Sequence, residues 1–200
     1  MSSPFPAYLI IYPPCFFSFL IVFTSSANPP ISDTWFTASF KNDTRIIAKA
    51  SELHDILVEE LKAFIPDGDF ITQCLFQPLP ALFGQRSAEA GGNVMGVERQ
   101  RDNGILFLAV VMARTPEQQA FAHPKVDKWI QDIRDFAATI EGGNLDWTYL
   151  NYADKGQAVL ESYGADNVKK MKAAAAKYDP EQVFQKLCPG GWKISDVKDA

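Results

Sequence analysis

The sequence is poor in the residues that build metal centres and disulfide frameworks. Its 200 residues contain three cysteines and two histidines. Cys15, Cys74 and Cys188 are too few and too scattered for a disulfide scaffold or a four-ligand zinc site. We therefore expect unpaired thiols, with Cys74 packed in the core, and no bound metal. His54 and His123 lack a second ligand at metal spacing, so structural roles are expected for both.

Basic clusters and nucleotide-binding motifs are also missing. The chain has 19 Lys and Arg against 24 Asp and Glu, for a net charge of -5, and no stretch combines Lys and Arg with aromatic residues. Nucleic acid is therefore not expected as a partner. The sequence contains no phosphate-binding loop, no Gly-x-Gly-x-x-Gly, no Gly-x-Ser-x-Gly and no His-Glu-x-x-His. With 47% hydrophobic and 22% charged residues, the composition is that of one globular domain.

The amino-terminal segment differs in composition from the rest. No charged residue precedes Asp33, and residues 8–23 are almost entirely apolar. One interpretation is a secretory signal, with small residues at 25–27 but no Lys or Arg ahead of the apolar stretch; the other is a segment that replaces whatever normally precedes the domain. A membrane span fits least, because the run is shorter than the roughly 20 residues needed and contains Pro13 and Pro14. The protein is expected to be secreted if a signal is present and cytoplasmic otherwise.

Strand and helix patterns alternate after this segment. Period-two alternation or continuous apolar runs predict strands at residues 33–40, 70–77, 104–113 and 145–152. Apolar residues at intervals of three and four predict helices between residues 43 and 66 and between 115 and 142, with Pro124 dividing the second. Residues 78–103 are expected to form a long loop that contains glycine.

The order β-α-β-β-α-β predicts the fold class. It matches the split βαβ arrangement, an α+β fold in which two helices cover one face of an antiparallel sheet. We assign residues 1–32 to an apolar leader or replacement segment, 33–152 to the α+β domain and 153–200 to a helical carboxy-terminal tail. In the tail, Asp166 or Asn167 is expected to cap a helix over residues 168–178.

Two predicted strands contain polar side chains that need partners. Alternation places Gln73 and Gln77 on one face of the second strand, either at a solvated sheet surface or facing a ligand, because an unsatisfied buried amide costs about 1–3 kcal/mol. The last strand gives the same two alternatives, an amphipathic strand with wet hydroxyls or a ligand surface. Its alternation predicts two faces, one with Trp147, Tyr149 and Asn151 and the other with Thr148, Leu150 and Tyr152.

The carboxy-terminal third carries a specific combination of motifs. Tyr149-x-Asn151-Tyr152-x-Asp154 is followed by Lys177-Tyr178-Asp179-Pro180-x-x-Val183-Phe184 and by Pro189-Gly190-Gly191-Trp192-Lys193. Together these segments resemble the carboxy-terminal signature of berberine-bridge-type FAD-linked oxidoreductases, especially the fungal members. Upstream similarity at residues 35–40, 52–54, 76–80 and 91–93 extends the resemblance over nearly everything after Asp33. The matching region is the family's substrate domain and tail.

The resemblance implies a flavin enzyme and roles for five residues. Members hold FAD in a separate amino-terminal domain that has no counterpart in these 200 residues, and they transfer hydride from an alcohol, sugar or secondary metabolite to the flavin. By resemblance, Tyr149 is the candidate base or orienting group, Asn151 and Tyr152 contact the flavin, and Gln73 and Gln77 face the substrate. FAD is the implied cofactor and a small molecule the implied substrate.

Three functional interpretations remain open. The chain is a truncated flavin oxidoreductase, or a non-catalytic remnant that binds a small molecule or another protein, or one half of an enzyme whose flavin domain is supplied in trans by a partner. The length favours the second interpretation for the isolated chain, which we expect to be inactive alone.

Overall fold

The computed structural model describes residues 32–197, so the interpretations of the amino-terminal segment lie outside the described residues. Within residues 32–197 the fold has four strands and five α-helices. In chain order they are β1 (Ser32–Lys41), α1 (Thr44–Phe64), β2 (Phe70–Leu79), α2 (Ala81–Glu89), β3 (Gly104–Ala113), α3 (Pro116–Ala138), β4 (Asn144–Leu145), α4 (Ala165–Tyr178) and α5 (Val183–Lys186). Four short 3-10 turns occur at Val97–Arg99, Leu150–Tyr152, Glu161–Tyr163 and Ile194–Asp196.

The sheet has the strand order β2-β3-β1-β4, and all neighbours are antiparallel. This is the split βαβ order that the sequence predicts, and the α+β class is confirmed. The central strand β3 is buried along nearly its whole length. Its continuous apolar sequence follows from this position, because neither face of β3 meets solvent.

The helices α1 and α3 cover one face of the sheet. The Asp43 carboxylate caps α1, and Thr115 forms a reciprocal capping box with Gln118 at the start of α3. The prediction that Pro124 divides the second helix is wrong, since α3 runs unbroken through it. Apolar residues on both sides of Pro124, such as Ala122 and Val126, pack in the same core and hold the helix together.

The carboxy-terminal part of the chain covers the other face of the sheet. A second apolar cluster forms there between β2, β3 and the segment that follows β4. Its buried members are Leu79, Leu106, Trp147, Val159, Leu160, Tyr163, Val168 and Val197. The sheet therefore lies between two apolar layers, of which the second comes from the tail.

The prediction of a fourth strand over residues 145–152 is wrong beyond Leu145. Pairing with β1 joins only Phe40 to Asn144 and Ser39 to Leu145, and the same register would place Trp147 opposite Thr37. The carboxamide of Gln157 occupies that place, accepting from the Thr37 N–H at 3.1 Å and donating to the Thr37 carbonyl at 2.7 Å. The chain leaves the sheet after Leu145 because the Gln157 side chain makes the hydrogen bonds to Thr37 that a longer β4 would make.

Two further boundaries differ from the sequence prediction. The expected loop at residues 78–103 contains α2, in which Gly84 packs so closely that a Cβ would lie 2.7 Å from the Val97 carbonyl oxygen. The helix α4 begins at Ala165, with Gly164 rather than Asp166 or Asn167 at the N-cap. Among residues 32–197, no helix is long and apolar enough to cross a membrane.

Candidate functional site

An aromatic and amide cluster lies on the face of the sheet that the tail covers. It consists of Trp35 from β1, Gln77 from β2, and Tyr149, Asn151 and Tyr152 from the segment after β4. We call these five residues the tyrosine cluster. Three of them, Tyr149, Asn151 and Tyr152, carry roles implied by the family resemblance, and Gln77 is the fourth such residue.

Ring contacts and amide hydrogen bonds hold the cluster together. The Tyr149 and Tyr152 rings meet edge to face with centroids 4.9 Å apart, and Trp35 lies 5.7 Å from Tyr152. Gln77 Nε2 donates to Tyr152 Oη at 3.3 Å, and Asn151 Nδ2 donates to Tyr149 Oη at 2.9 Å. Each phenol oxygen thus accepts from an amide, which leaves both phenol hydrogens available to a further acceptor.

A 3-10 turn brings the two tyrosines together. Alternation in a strand predicts Tyr149 and Tyr152 on opposite faces, and that prediction is wrong because the segment is not a strand. Leu150–Tyr152 forms a 3-10 turn in which the Tyr152 N–H donates to the Tyr149 carbonyl at 3.1 Å. Residues three apart eclipse in this geometry, so the side chains of Tyr149 and Tyr152 point to the same side.

Gln73 lies on the same sheet face but makes no hydrogen bond to the cluster. It pairs across β2 and β3 with Val110, which in turn pairs with Trp35 on β1. Gln73 Oε1 and Trp35 Nε1 are both buried without a hydrogen-bond partner among the described residues. An unpaired donor and an unpaired acceptor therefore share one row of the sheet. The sequence analysis gives no role to Trp35, although the alternation of β1 places it on the same face as Thr37 and Ser39.

Hydrogen bonds hold residues 154–157, which follow the two tyrosines, against the sheet and α3. Besides its two bonds to Thr37, Gln157 Oε1 accepts from the Asp154 N–H at 3.1 Å. The Asp154 carboxylate lies 2.9 Å from His123 Nε2 on α3 and accepts from the Gly156 N–H at 2.9 Å. The segment is thus tied to the sheet at one point and to a helix at another. His123 thereby joins α3 to this segment.

The other histidine is also structural. His54 Nε2 lies 2.9 Å from Thr72 Oγ1, and its ring stacks on Trp129 with centroids 5.0 Å apart. Burial lowers the pKa of His54, which favours the neutral form of the ring. No three His, Cys, Asp or Glu side chains within residues 32–197 converge closely enough to hold a metal ion.

Comparison with known proteins places the chain next to fungal flavin enzymes. It is 40% identical to the FAD-dependent monooxygenase drtC of Aspergillus calidoustus, over 80% of this chain and 30% of drtC. It is 28% identical to the FAD-dependent monooxygenase sdcF of Emericella nidulans, over 79% of this chain and 33% of the relative. It is 26% identical to the FAD-dependent monooxygenase yanF of Aspergillus niger, over 96% of this chain and 33% of the relative.

The chain spans about a third of the length of these curated relatives. No protein-family model matches the chain. No solved structure matches it either. The relatives support a connection to flavin-dependent oxidoreductases in general.

Proposed function

We propose that the chain is the substrate-side portion of a berberine-bridge-type FAD-linked oxidoreductase, oxidising an alcohol, sugar or secondary metabolite. The observation that supports this most strongly is the tyrosine cluster. It gathers on one sheet face four of the five residues for which the resemblance implies a role, in a chain whose relatives are named FAD-dependent. In this proposal residues 33–152 form the substrate domain and 153–200 its tail.

The groups on this face fit a flat, neutral ring. Trp35, Tyr149 and Tyr152 offer aromatic surface, and Gln73 Oε1 and Trp35 Nε1 are polar atoms still without partners. Such neutral groups suit the isoalloxazine of FAD and a neutral substrate beside it better than a phosphate. When bound, the flavin supplies the acceptor for the hydride that leaves the substrate carbon. Asn151 and Tyr152 would contact the ring and Gln73 and Gln77 the substrate.

The hydrogen bonds favour an orienting role for Tyr149. Its oxygen accepts from Asn151, so its own hydrogen is free to be donated to a substrate oxygen. A donor fixed in this way holds the reacting carbon in position, which is a large part of catalysis in such a reaction. Tyr152, fixed by Gln77 in the same manner, would act beside it.

The tail offers a surface for a flavin-domain partner. Three large apolar side chains within ten residues are mostly exposed: Tyr178 at 77%, Phe184 at 66% and Leu187 at 74%. Contiguous exposed apolar patches are typical of surfaces that another domain or chain covers, and these three side chains are the candidates for such a patch here. The partner in this proposal is a flavin-binding polypeptide, either supplied in trans or belonging to the same longer protein.

A second candidate reaction follows from the names of the relatives. Three of them are called monooxygenases, and a monooxygenase places an oxygen atom in its product, whereas the hydride mechanism does not. Both reactions need the same flavin face. The isotope content of the product distinguishes them, because only a monooxygenase incorporates label from ¹⁸O₂.

A chimera with a relative tests the proposal. Residues 32–197 of this chain replace the matching segment of drtC, which is 40% identical to it. We expect the chimera to be yellow, with flavin absorbance near roughly 450 nm, and to reduce its flavin anaerobically with the substrate of the parent enzyme. The isolated chain, purified in parallel, is expected to lack this absorbance and to show no oxidase activity.

Two results would contradict the proposal. A chimera that binds flavin normally but is not reduced by substrate would favour the non-catalytic remnant. An isolated chain that is yellow and retains its cofactor after denaturation would show that these 200 residues hold FAD themselves.

A further inference from the structure

A cavity of about 610 Å³ lies between α3 and the segment that follows β4. One wall is a stripe of α3 that presents Asp127, Gln131 and Arg134, residues that share a helix face at intervals of four and three. The opposite wall includes Asp146, Thr148 and Glu161. The volume is within the range of small-molecule sites, roughly 300–1,000 Å³. The tyrosine cluster does not line this cavity.

The charges of the cavity are unbalanced. Four carboxylates line it, those of Asp127, Asp146, Asp154 and Glu161, against the single guanidinium of Arg134. Asp154 is already engaged with His123. Asp146 interacts electrostatically with Arg134. Asp127 and Glu161 form no ion pair with any residue of the described part of the chain, so both can accept hydrogen bonds from a ligand.

A largely buried side chain in the wall, that of Thr148, gives an independent indication of a ligand. Thr148 is only 6% exposed, yet its side chain makes no hydrogen bond within residues 32–197; only its backbone N–H is bonded, to Ser162 Oγ at 3.0 Å. Buried polar side chains are normally hydrogen-bonded. The Thr148 side chain lines the same cavity as the Asp127 and Glu161 carboxylates.

The spacing of the carboxylates favours an extended organic cation over a compact metal ion. Although they share one cavity, no three acidic or histidine side chains of the described residues come close enough together to hold a metal ion. A compact divalent cation would therefore meet fewer than three of them at once. A flexible molecule with positive charges distributed along its length can use several of them, because each ammonium group meets a different carboxylate.

We propose that this cavity binds an aliphatic polyamine, with Asp127 and Glu161 as ammonium acceptors and the Thr148 hydroxyl as a further acceptor. The site is separate from the proposed flavin face and does not depend on the proposed oxidoreductase function. The cavity recognises its ligand through two or more ammonium groups that the ligand carries on an extended chain.

Calorimetric titration of the purified 200-residue chain with spermidine at low ionic strength tests the proposal. We expect saturable binding that weakens as salt is added. Asp127→Asn and Glu161→Gln should each weaken binding about fivefold, the effect of losing one near-surface charge contact. Thr148→Val, which keeps the shape and removes the hydroxyl, should weaken it as well. Asp135→Asn is the matched control: it removes the same charge from an exposed position of α3 that does not line the cavity, and should leave affinity unchanged.

Magnesium ion and sorbitol are titrated in separate experiments as alternative ligands. Binding of spermidine in preference to both, with the variant pattern above, supports the proposal. Absent spermidine binding, equal loss in Asp135→Asn, or equal or tighter binding of magnesium or sorbitol overturns it. Circular dichroism of each variant shows that a loss of binding is not a loss of fold.

Discussion

Sequence spacing does not reveal which polar side chains form hydrogen bonds with each other in this protein. Asn151 bonds Tyr149 two residues away, but Gln77 bonds Tyr152 across 75 positions. Periodicity correctly predicts that Gln73 and Gln77 share a face of β2. It cannot predict which of them bonds a tyrosine, because that depends on a 3-10 turn formed by a distant segment. The pairing of polar groups is therefore the part of the site that sequence reasoning recovers least.

The two described cysteines provide a residue-scale prediction. Cys74 is half-buried against the apolar core between the sheet and the helices α1 and α3, as the sequence predicts. Burial raises the pKa of its thiol to about 12. Cys188 is exposed. Because the thiolate is the reactive form, iodoacetamide at about pH 8 should label Cys188 quickly and Cys74 slowly, as peptide mass mapping would show.

Unfolding the protein in denaturant supplies the control, since it should make the two labelling rates similar. Equal rates in the native protein would contradict the buried placement of Cys74.

At the scale of elements, the strands and long helices follow closely from their patterns. The bounds of β3 match its apolar run, and α1 lies within the predicted range 43–66. The errors occur where tertiary contacts override local preference. Pro124 is accommodated within α3 by core packing on both sides, and β4 stops after Leu145 because Gln157 takes the next place on β1. Thr37 and Gln157 are 120 residues apart, beyond the reach of any local pattern.

Replacing Gln157 tests this element-level interpretation. Gln157→Ala removes both carboxamide bonds to the Thr37 backbone and leaves two polar groups of a buried residue unpaired. We expect the free energy of unfolding to fall by about 2–3 kcal/mol in urea denaturation. Gln85→Ala, at an exposed helix position without a hydrogen bond in the described structure, should change it by less than about 0.5 kcal/mol. Equal losses in the two variants would show that the carboxamide does not fasten the tail.

The whole molecule is a sheet with apolar layers on both faces, one from the helices and one from the tail. The sequence predicts the first layer through helical periodicity and leaves the second unexplained, because the tail residues that form it follow no regular repeat. This second layer holds the tyrosine cluster against β1 and β2. The placement of the candidate site thus depends on the tail as well as on the domain.

The most direct measurement is the rate of anaerobic flavin reduction in the drtC chimera carrying Tyr149→Phe. The substitution removes one hydroxyl and keeps the ring that packs against Tyr152. Because the substrate would be held less precisely, the account predicts a reduction rate lower by roughly 10²-fold, with unchanged flavin content and melting temperature. The control Ser51→Ala, which removes a hydroxyl from an exposed position of α1 on the other side of the sheet, should reduce flavin at the unmodified rate. An unchanged rate in Tyr149→Phe would remove this tyrosine from the reaction and contradict the proposed use of the cluster.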